Sequence, residues 1–333
     1  MTETTVRIPD ISPLPLWDLA HAYCEARAFH VANELDIFSH LDEERTSEDM
    51  ARVLGLEHRP VRMLMDVCVA LELLEKSGGG YKNTPISSEF LVRGKPFYSG
   101  HFVSLEGASY LTWGKLTDAI RQNGPVDRPD RDEESLKFFT HAMFSTSVFS
   151  STILSQVVDL SGYHNLLDVG GGSGINAIRF VEKYSDLQAT VFDHRAVVEV
   201  AAEYISRSPA AERLSTKAGD YLKSLPDGHD AALLSNILHG EGPEDNRALL
   251  KRVYEALDAP GIVIIADVLP NEERSGPSFP LLFALNTLVH AGRGDTYTDS
   301  QIREFLQDAG FCEMNTISFD PAPLSVVTAL KRK

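Results

Sequence analysis

Positive charge is what this sequence is short of. Against 48 Asp and Glu it carries 31 Lys and Arg, a formal net charge of −17 over 333 residues. Neutralising a phosphate backbone takes clustered basic side chains, so the balance argues against nucleic acid as a partner and against an anionic membrane surface. The acidity itself reads as solubility. Cysteine is scarce too. Cys24, Cys68 and Cys312 are scattered, odd in number and without metal-ligand spacing, which suits a reducing compartment. Met1 to Pro15 lack the basic and apolar regions of a signal peptide. No apolar run approaches the ~20 residues that span a bilayer. A cytoplasmic protein without membrane segments is expected. Apolar residues, by contrast, are ample: they make up 43% of a chain long enough for two domains.

Up to about residue 105 the pattern is helical with one hairpin. Leu16, Leu19, Ala20, Tyr23 and Ala26 have helical spacing, and a long apolar helix is predicted over 14–31. Thr46 or Ser47 can cap a short helix closed by Gly55. A third helix is predicted over 60–74, with Val61, Leu64, Met65, Cys68 and Leu71 inward. Gly78-Gly79-Gly80 then separates two short strands. Three helices and a hairpin make a winged helix. Its presumed recognition helix holds Arg59, Arg62, Asp66 and Glu72 but no basic stripe, so subunit packing is the better reading than DNA binding. The exposed face of the first helix would need a partner.

Between 107 and 150 lie aromatic-rich helical segments broken at Gly124-Pro125 and Arg128-Pro129. Trp113 and Phe144 there are candidate walls of a small-molecule pocket. From Asn165 onward strands and helices alternate: strands over 165–169, 188–192, 214–218, 231–237 and 262–268, with helices between them. Helices over 281–289 and 299–309 follow, then a closing antiparallel pair over 311–319 and 325–330. The fold class is α/β, a Rossmann-like doubly wound sheet behind a mainly helical winged-helix domain, divided as 1–105 and 106–333. Ligands should sit beyond the carboxyl ends of the strands.

The first of these strands ends in Asp168-Val169-Gly170-Gly171-Gly172-Ser173-Gly174. Glycines at 170, 172 and 174 let backbone approach a ligand closely and let the next helix pack tightly. Such a loop alone fits many nucleotides. A carboxylate at the turn would repel a pyrophosphate but attract a ligand bearing an ammonium and a sulfonium. Asp193, after the second strand, can accept from a ribose diol, as acids in that position do. Asp220 and Tyr221, after the third, offer an acceptor for an adenine amino group and a ring to stack on it. Together they point to S-adenosylmethionine.

On these motifs the chain resembles the plant-type, or hydroxyindole-type, O-methyltransferases and their bacterial relatives in secondary metabolism. Further matching segments are Glu34 to Phe38, Ala70 to Leu74, Gly219-Asp220, Leu238-His239 and Ala309-Gly310-Phe311. The resemblance covers nearly all of residues 15–330. It implies a class I methyltransferase domain, a winged-helix dimerisation domain, a homodimer and a small-molecule substrate.

It also implies that His239, just after the fourth strand, removes a proton from a substrate hydroxyl, a task suited to an imidazole. The surroundings depart from the family pattern. Gly240-Glu241-Gly242-Pro243 stands where Asp-Trp usually follows, the strand-end acid is the shorter Asp267, and Thr296 falls where a second glutamate is usual, beside Asp295. The carboxylates that would orient a histidine base are thus expected to be shortened or missing. His290 precedes the same loop, and His239, Asp267 and His290 could converge on an iron or zinc ion. Such an ion would acidify C3 of a bound 2-oxo acid and hold its enolate for C-methylation, as the 2-oxo acid C-methyltransferases among the bacterial relatives do. Metal-assisted C-methylation is therefore the first expectation, and hydroxyl O-methylation with His239 as base the alternative. An arginine would hold the carboxylate of a 2-oxo acid; Arg121 is the first candidate, with Arg128, Arg131 and Arg293 behind it. A regulator that merely senses S-adenosylmethionine would need a basic recognition helix, which the sequence lacks.

Overall fold

The computed structural model describes residues 11–126, 132–318 and 324–332. The chain divides between Tyr110 and Leu111 into two units, slightly beyond the boundary expected from sequence.

In the first unit, helix α1 (Leu14–Glu34) runs three residues further than predicted, and β1 (Arg45–Thr46) follows. Helix α2 (Ser47–Leu54) is capped by Thr46, whose Oγ1 accepts from the Asp49 amide at 3.1 Å, and closed by Gly55 at φ 65°. Helix α3 (His58–Ala70) buries Val61, Met65 and Cys68 at i, i+4 and i+7. It stops four residues short of the predicted end because Glu72 takes a left-handed conformation, φ 58°, and turns the chain into a strand. Strands β2 (Leu74–Ser77) and β3 (Gly80–Asn83) pair antiparallel around Gly78 and Gly79, at φ 57° and 92°. Positive φ at both central positions is what a tight two-residue hairpin demands and glycine supplies. With β1 on the far side of β3 this is the predicted wing. The unit's core gathers Ile37, Phe38, Leu41, Met50, Met65 and Tyr81. Leu16, Trp17, Leu19 and Tyr23 of α1 are exposed.

Helices α4 (Pro85–Phe90) and α5 (Gly100–Trp113) lead on. In the second unit α6 (Leu116–Gln122) and the long α7 (Glu133–Val157) precede the sheet. The sheet then opens with β4 (Asn165–Val169), α8 (Ile175–Lys183), β5 (Gln188–Asp193), α9 (Arg195–Ile205) and β6 (Leu214–Ala218). It continues with β7 (His229–Ser235), α10 (Pro243–Ala256) and β8 (Leu257–Asp267). Helices α11 (Ser278–His290) and α12 (Asp299–Ala309) and strands β9 (Cys312–Ser318) and β10 (Ser325–Lys331) complete it. The strand order is β6-β5-β4-β7-β8-β10-β9; the first five are parallel, and β10 pairs antiparallel with both β8 and β9. From β4 the chain builds outward to β6, then crosses to β7 on the other side. The crevice beyond β4 and β7 is therefore the place where such sheets hold ligands. Apolar cores cover both faces, which is why β8 reads as an unbroken run from Ile262 to Ala266. No described helix is long and apolar enough to cross a membrane.

Candidate active site

The glycine loop leaves β4 and enters α8. Gly170, Gly172 and Gly174 all have positive φ, at 64°, 57° and 75°. A Cβ on Gly170 would collide with Ile237 and lie 3.5 Å from the Tyr221 ring, whereas one on Gly172 would meet nothing within 4 Å. The loop is thus packed on one side and open at its tip. The Gly170 amide donates to the Phe192 carbonyl at 2.8 Å, and the Gly172 amide to Asp193 Oδ2 at 3.0 Å. Asp193 also accepts from the His194 amide at 2.6 Å, and burial raises its pKa.

Asp168 is fully buried beneath the loop, close under Gly171, where a Cβ would come within 2.7 Å of its carboxyl carbon. Neither carboxylate oxygen closes a hydrogen bond among the described residues. Burial pushes its pKa up to about 7 and the Asp193 charge adds to the rise; the Ala177 amide opposes it from nearby without closing a hydrogen bond. An orphaned buried carboxylate beside an open glycine tip fits a cationic ligand that would supply the missing charge. A pKa raised above the unfolded value stabilises the fold at acid pH, and that contribution is lost as pH rises through about 7. The ligand-free protein should therefore lose stability between pH 4 and 8, by an amount of order 4 kcal/mol at most. Asp168→Asn should flatten that loss in thermal melts across the range; an unchanged slope would show that Asp168 is not its source.

Asp220 accepts from the Leu222 amide at 2.9 Å and pairs with Lys223 at 2.9 Å, and the Lys223 contact holds its pKa down. Tyr221 donates its hydroxyl to Glu241 Oε1 at 2.9 Å. Burial raises the Tyr221 pKa, and Glu241 adds to the rise.

Strand β7 ends at Ser235, earlier than predicted, because Asn236 turns left-handed at φ 57°. A single 3-10 turn, Leu238–Gly240, then presents His239. Its Nδ1 lies 2.7 Å from Oδ1 of Asp267, which is only 3% exposed, and its amide donates to Asp267 Oδ2 at 3.3 Å. The Phe283 ring stands edge-on to the imidazole at 4.7 Å. One orienting carboxylate is shortened and the other missing, as expected, yet the shortened one still reaches the ring, because the 3-10 turn brings the imidazole to the end of β8. Thr296 is indeed no substitute for a glutamate. It is fully buried and donates its hydroxyl to the Pro280 carbonyl, while Asp295 pairs with Arg274 at 2.7 Å.

The turn that carries His239 is pinned from behind. Fully buried Asn246 donates to the carbonyls of Leu238 at 2.9 Å and Glu241 at 3.2 Å, and Tyr297 donates to Glu241 O at 2.6 Å. Asn246→Ala would remove two buried hydrogen bonds, although Leu238 O keeps the Glu241 amide and Glu241 O keeps the Tyr297 hydroxyl, so a loss of about 1–3 kcal/mol in chemical denaturation is expected; a loss below about 0.5 kcal/mol would mean the turn holds itself.

The proposed metal set does not assemble. Among the described residues no group of three or more His, Cys, Asp or Glu is disposed to hold a metal ion. The α11 residue on the His239 ring is Phe283, and His290 comes two turns later, about 10 Å along the axis. Metal-assisted C-methylation thereby loses the donor set on which it rested. Other candidates scatter. Trp113 donates its indole N–H to Asn286 of α11 at 3.2 Å, and so lies on the helix that carries Phe283. Phe144 is stacked on Tyr204 of α9 at 3.8 Å, so its ring is used in packing. Arg121 pairs with Asp118, its side chain 74% exposed, and Arg293 lies near Asp245 at the surface. Arg128 and Arg131 lie outside the described residues.

Residues 17–93 match an O-methyltransferase dimerisation domain, and residues 116–312 an O-methyltransferase domain. The chain belongs to the O-methyltransferase family. It is an S-adenosylmethionine-dependent methyltransferase. It is 35% identical to a 3-hydroxy-5-methyl-1-naphthoate 3-O-methyltransferase of Streptomyces sahachiroi, across 96% of this chain and 95% of that one. It is 30% identical to the N,N-dimethyltransferase OxyT of Streptomyces rimosus, across 92% and 93%. The crystal structure of human N-acetylserotonin methyltransferase in complex with SAM superposes with a TM-score of 0.89 at 27% identity, each chain covered in full.

Glu241, Asn246, Phe283 and Gly294 of this methyltransferase were missed as site residues. Phe279, Phe283, Asn286 and His290 share one face of α11, a spacing that could have flagged Phe283. Nothing in the sequence marks Gly294, which packs directly against the His239 carbonyl.

Proposed function

We propose that this enzyme methylates a hydroxyl group on an aromatic small molecule of secondary metabolism, with His239 as general base. The observation that carries the reading is the 2.7 Å contact between His239 Nδ1 and buried Asp267. With its proton on Nδ1 and directed at Asp267, the imidazole keeps the Nε2 lone pair for the substrate hydroxyl. As Nε2 takes that proton, Asp267 stabilises the imidazolium, the role a buried aspartate plays behind a catalytic histidine. Phe283 fixes the ring from its edge, and stacked Phe279 extends the aromatic wall beside it.

S-adenosylmethionine, when bound, supplies an electrophilic methyl on sulfonium. The residues to hold it are the loop from Gly170 to Gly174, with Asp193 for the ribose and Tyr221 beside the base. Asp168 below supplies negative charge.

The relatives' printed activities support a hydroxyl acceptor, since the Streptomyces sahachiroi relative is a 3-O-methyltransferase of a hydroxynaphthoate and the Gallus gallus relative an acetylserotonin O-methyltransferase. OxyT favours an amine as the second reading. Labelled cofactor offered with phenols, hydroxyaryl carboxylates, aryl amines and 2-oxo acids tests the proposal. Label on phenolic oxygen is the expected result; label only on nitrogen or carbon overturns it.

A homodimer is part of the same proposal. The exposed Leu16, Trp17, Leu19 and Tyr23 of α1 belong to a segment matching a dimerisation domain. Leu16→Glu with Leu19→Glu should shift the mass in sedimentation from dimer to monomer; a dimer that persists would place the interface elsewhere.

A further inference from the structure

We infer that Tyr221 and Glu241 act as one positioning unit, a strap that ties the turn carrying His239 to the cofactor loop. The inference rests on the reading of His239 as the base. Sheet order sets up the need for such a strap. Tyr221 follows β6 and Glu241 follows β7, with β5 and β4 between those strands, and the glycine loop rises from β4 in the gap. Asn246 of α10 and Tyr297, just before α12, hold the turn from behind. They do nothing to fix it against the cofactor loop.

On that side the turn is fastened at both ends. Ile237, which caps its start, packs on Gly170, where an added Cβ would collide with it. Glu241, which caps its end, accepts the Tyr221 hydroxyl on Oε1 at 2.9 Å. The Tyr221 ring in turn lies 3.5 Å from that same Cβ position. One glycine of the cofactor loop thus borders both fastenings. They differ in kind. Ile237 makes a contact without direction, whereas the Tyr221–Glu241 bond sets a distance and an angle and gains strength from an ionised acceptor. Burial raises the Tyr221 pKa and the Glu241 charge adds to the rise, so the hydroxyl keeps its proton for the bond. No other side-chain hydrogen bond reaches the Glu241 carboxylate among the described residues. Cutting this one leaves His239 on Asp267 but frees the turn to shift against the glycine loop. A misplacement of about 1 Å can cost 10²-fold, so a partial shift should cost about tenfold.

The test is a double-mutant cycle on turnover of the accepted hydroxyl substrate by the intact protein. Tyr221→Phe and Glu241→Ala should each lower kcat about tenfold, and the double variant about tenfold rather than hundredfold, because all three cut the same bond. Glu241→Gln still offers the tyrosine hydroxyl an acceptor and should recover most of the loss. The affinity of Glu241→Ala for S-adenosylhomocysteine should stay within about threefold of wild type, which separates a misplaced base from a lost cofactor. Melting temperatures with saturating S-adenosylhomocysteine show that each variant folds. Losses that multiply in the double variant overturn the inference, as does a Glu241→Ala variant at the wild-type rate. So does a Glu241→Gln variant as slow as Glu241→Ala, since charge rather than the bond would then be what matters. Full activity in His239→Ala would instead strike at the base itself, whatever the strap variants do.

Discussion

His239→Ala should lower kcat by about 10²- to 10⁴-fold while leaving the affinity for S-adenosylhomocysteine within about twofold of wild type. The range is what positioned proton transfer contributes. The split follows from the placement of His239. It stands on the 3-10 turn after β7 with its imidazole committed to Asp267, whereas the glycine loop is bounded by Ile237, Tyr221 and Asp193. Turnover on the accepted substrate, with cofactor binding followed by calorimetry, checks both halves. Full activity in His239→Ala would mean that the acceptor arrives deprotonated or needs no base.

The second large effect should come from a residue that touches no substrate. Gly294→Ala places a methyl group against the main-chain carbonyl of His239, with Thr287 Cβ also only 3.1 Å away. The carbonyl belongs to a turn fixed by Asn246 and Tyr297, so it has little room to retreat. Either the turn moves and the imidazole leaves Asp267, or the loop after α11 is displaced. A misplacement of about 1 Å at a catalytic group can cost 10²-fold. We expect a fall in kcat of at least that size, with a melting temperature lower by several degrees. Gly124→Ala, where nothing lies within 4 Å and φ is not positive, is the comparison for steric cost. Unchanged kcat in Gly294→Ala would show that the base turn is softer than its hydrogen bonds imply.

Much of this architecture was legible because each signal had one physical reading. Strand β6 and helix α12 fall on their predicted bounds, and the apolar run of β8 announced a strand covered on both faces. The Thr46 cap and the Gly78-Gly79 turn were readable from local backbone chemistry alone. The ends of α3 and β7 were not, since Glu72 and Asn236 turn left-handed without a glycine to advertise it. At the site, the cofactor loop was visible as a sequence motif, but the partners of its acids were not. That Asp220 pairs with Lys223, and that the Tyr221 hydroxyl ends on Glu241, could be read only from the fold. The metal reading failed for a related reason. A histidine at the end of α11 can be placed on a face by periodicity, yet the register that puts Phe283 rather than His290 on the base is set by packing.

The proposed chemistry leans on the same packing. Asp267, one methylene shorter than the family's usual acid, was expected to be a weak orienting group, and it reaches the imidazole because the turn comes to it. The most direct measurement of that claim is kcat for Asp267→Asn on a hydroxyl acceptor, with S-adenosylhomocysteine affinity measured in parallel. An asparagine keeps the shape but can present its amide to Nδ1 and favour the wrong tautomer, and it cannot stabilise the imidazolium. The expected result is a loss of about 10²- to 10⁴-fold in kcat with cofactor affinity unchanged. A variant that turns over at the wild-type rate would contradict the assignment of His239 as a base held by Asp267.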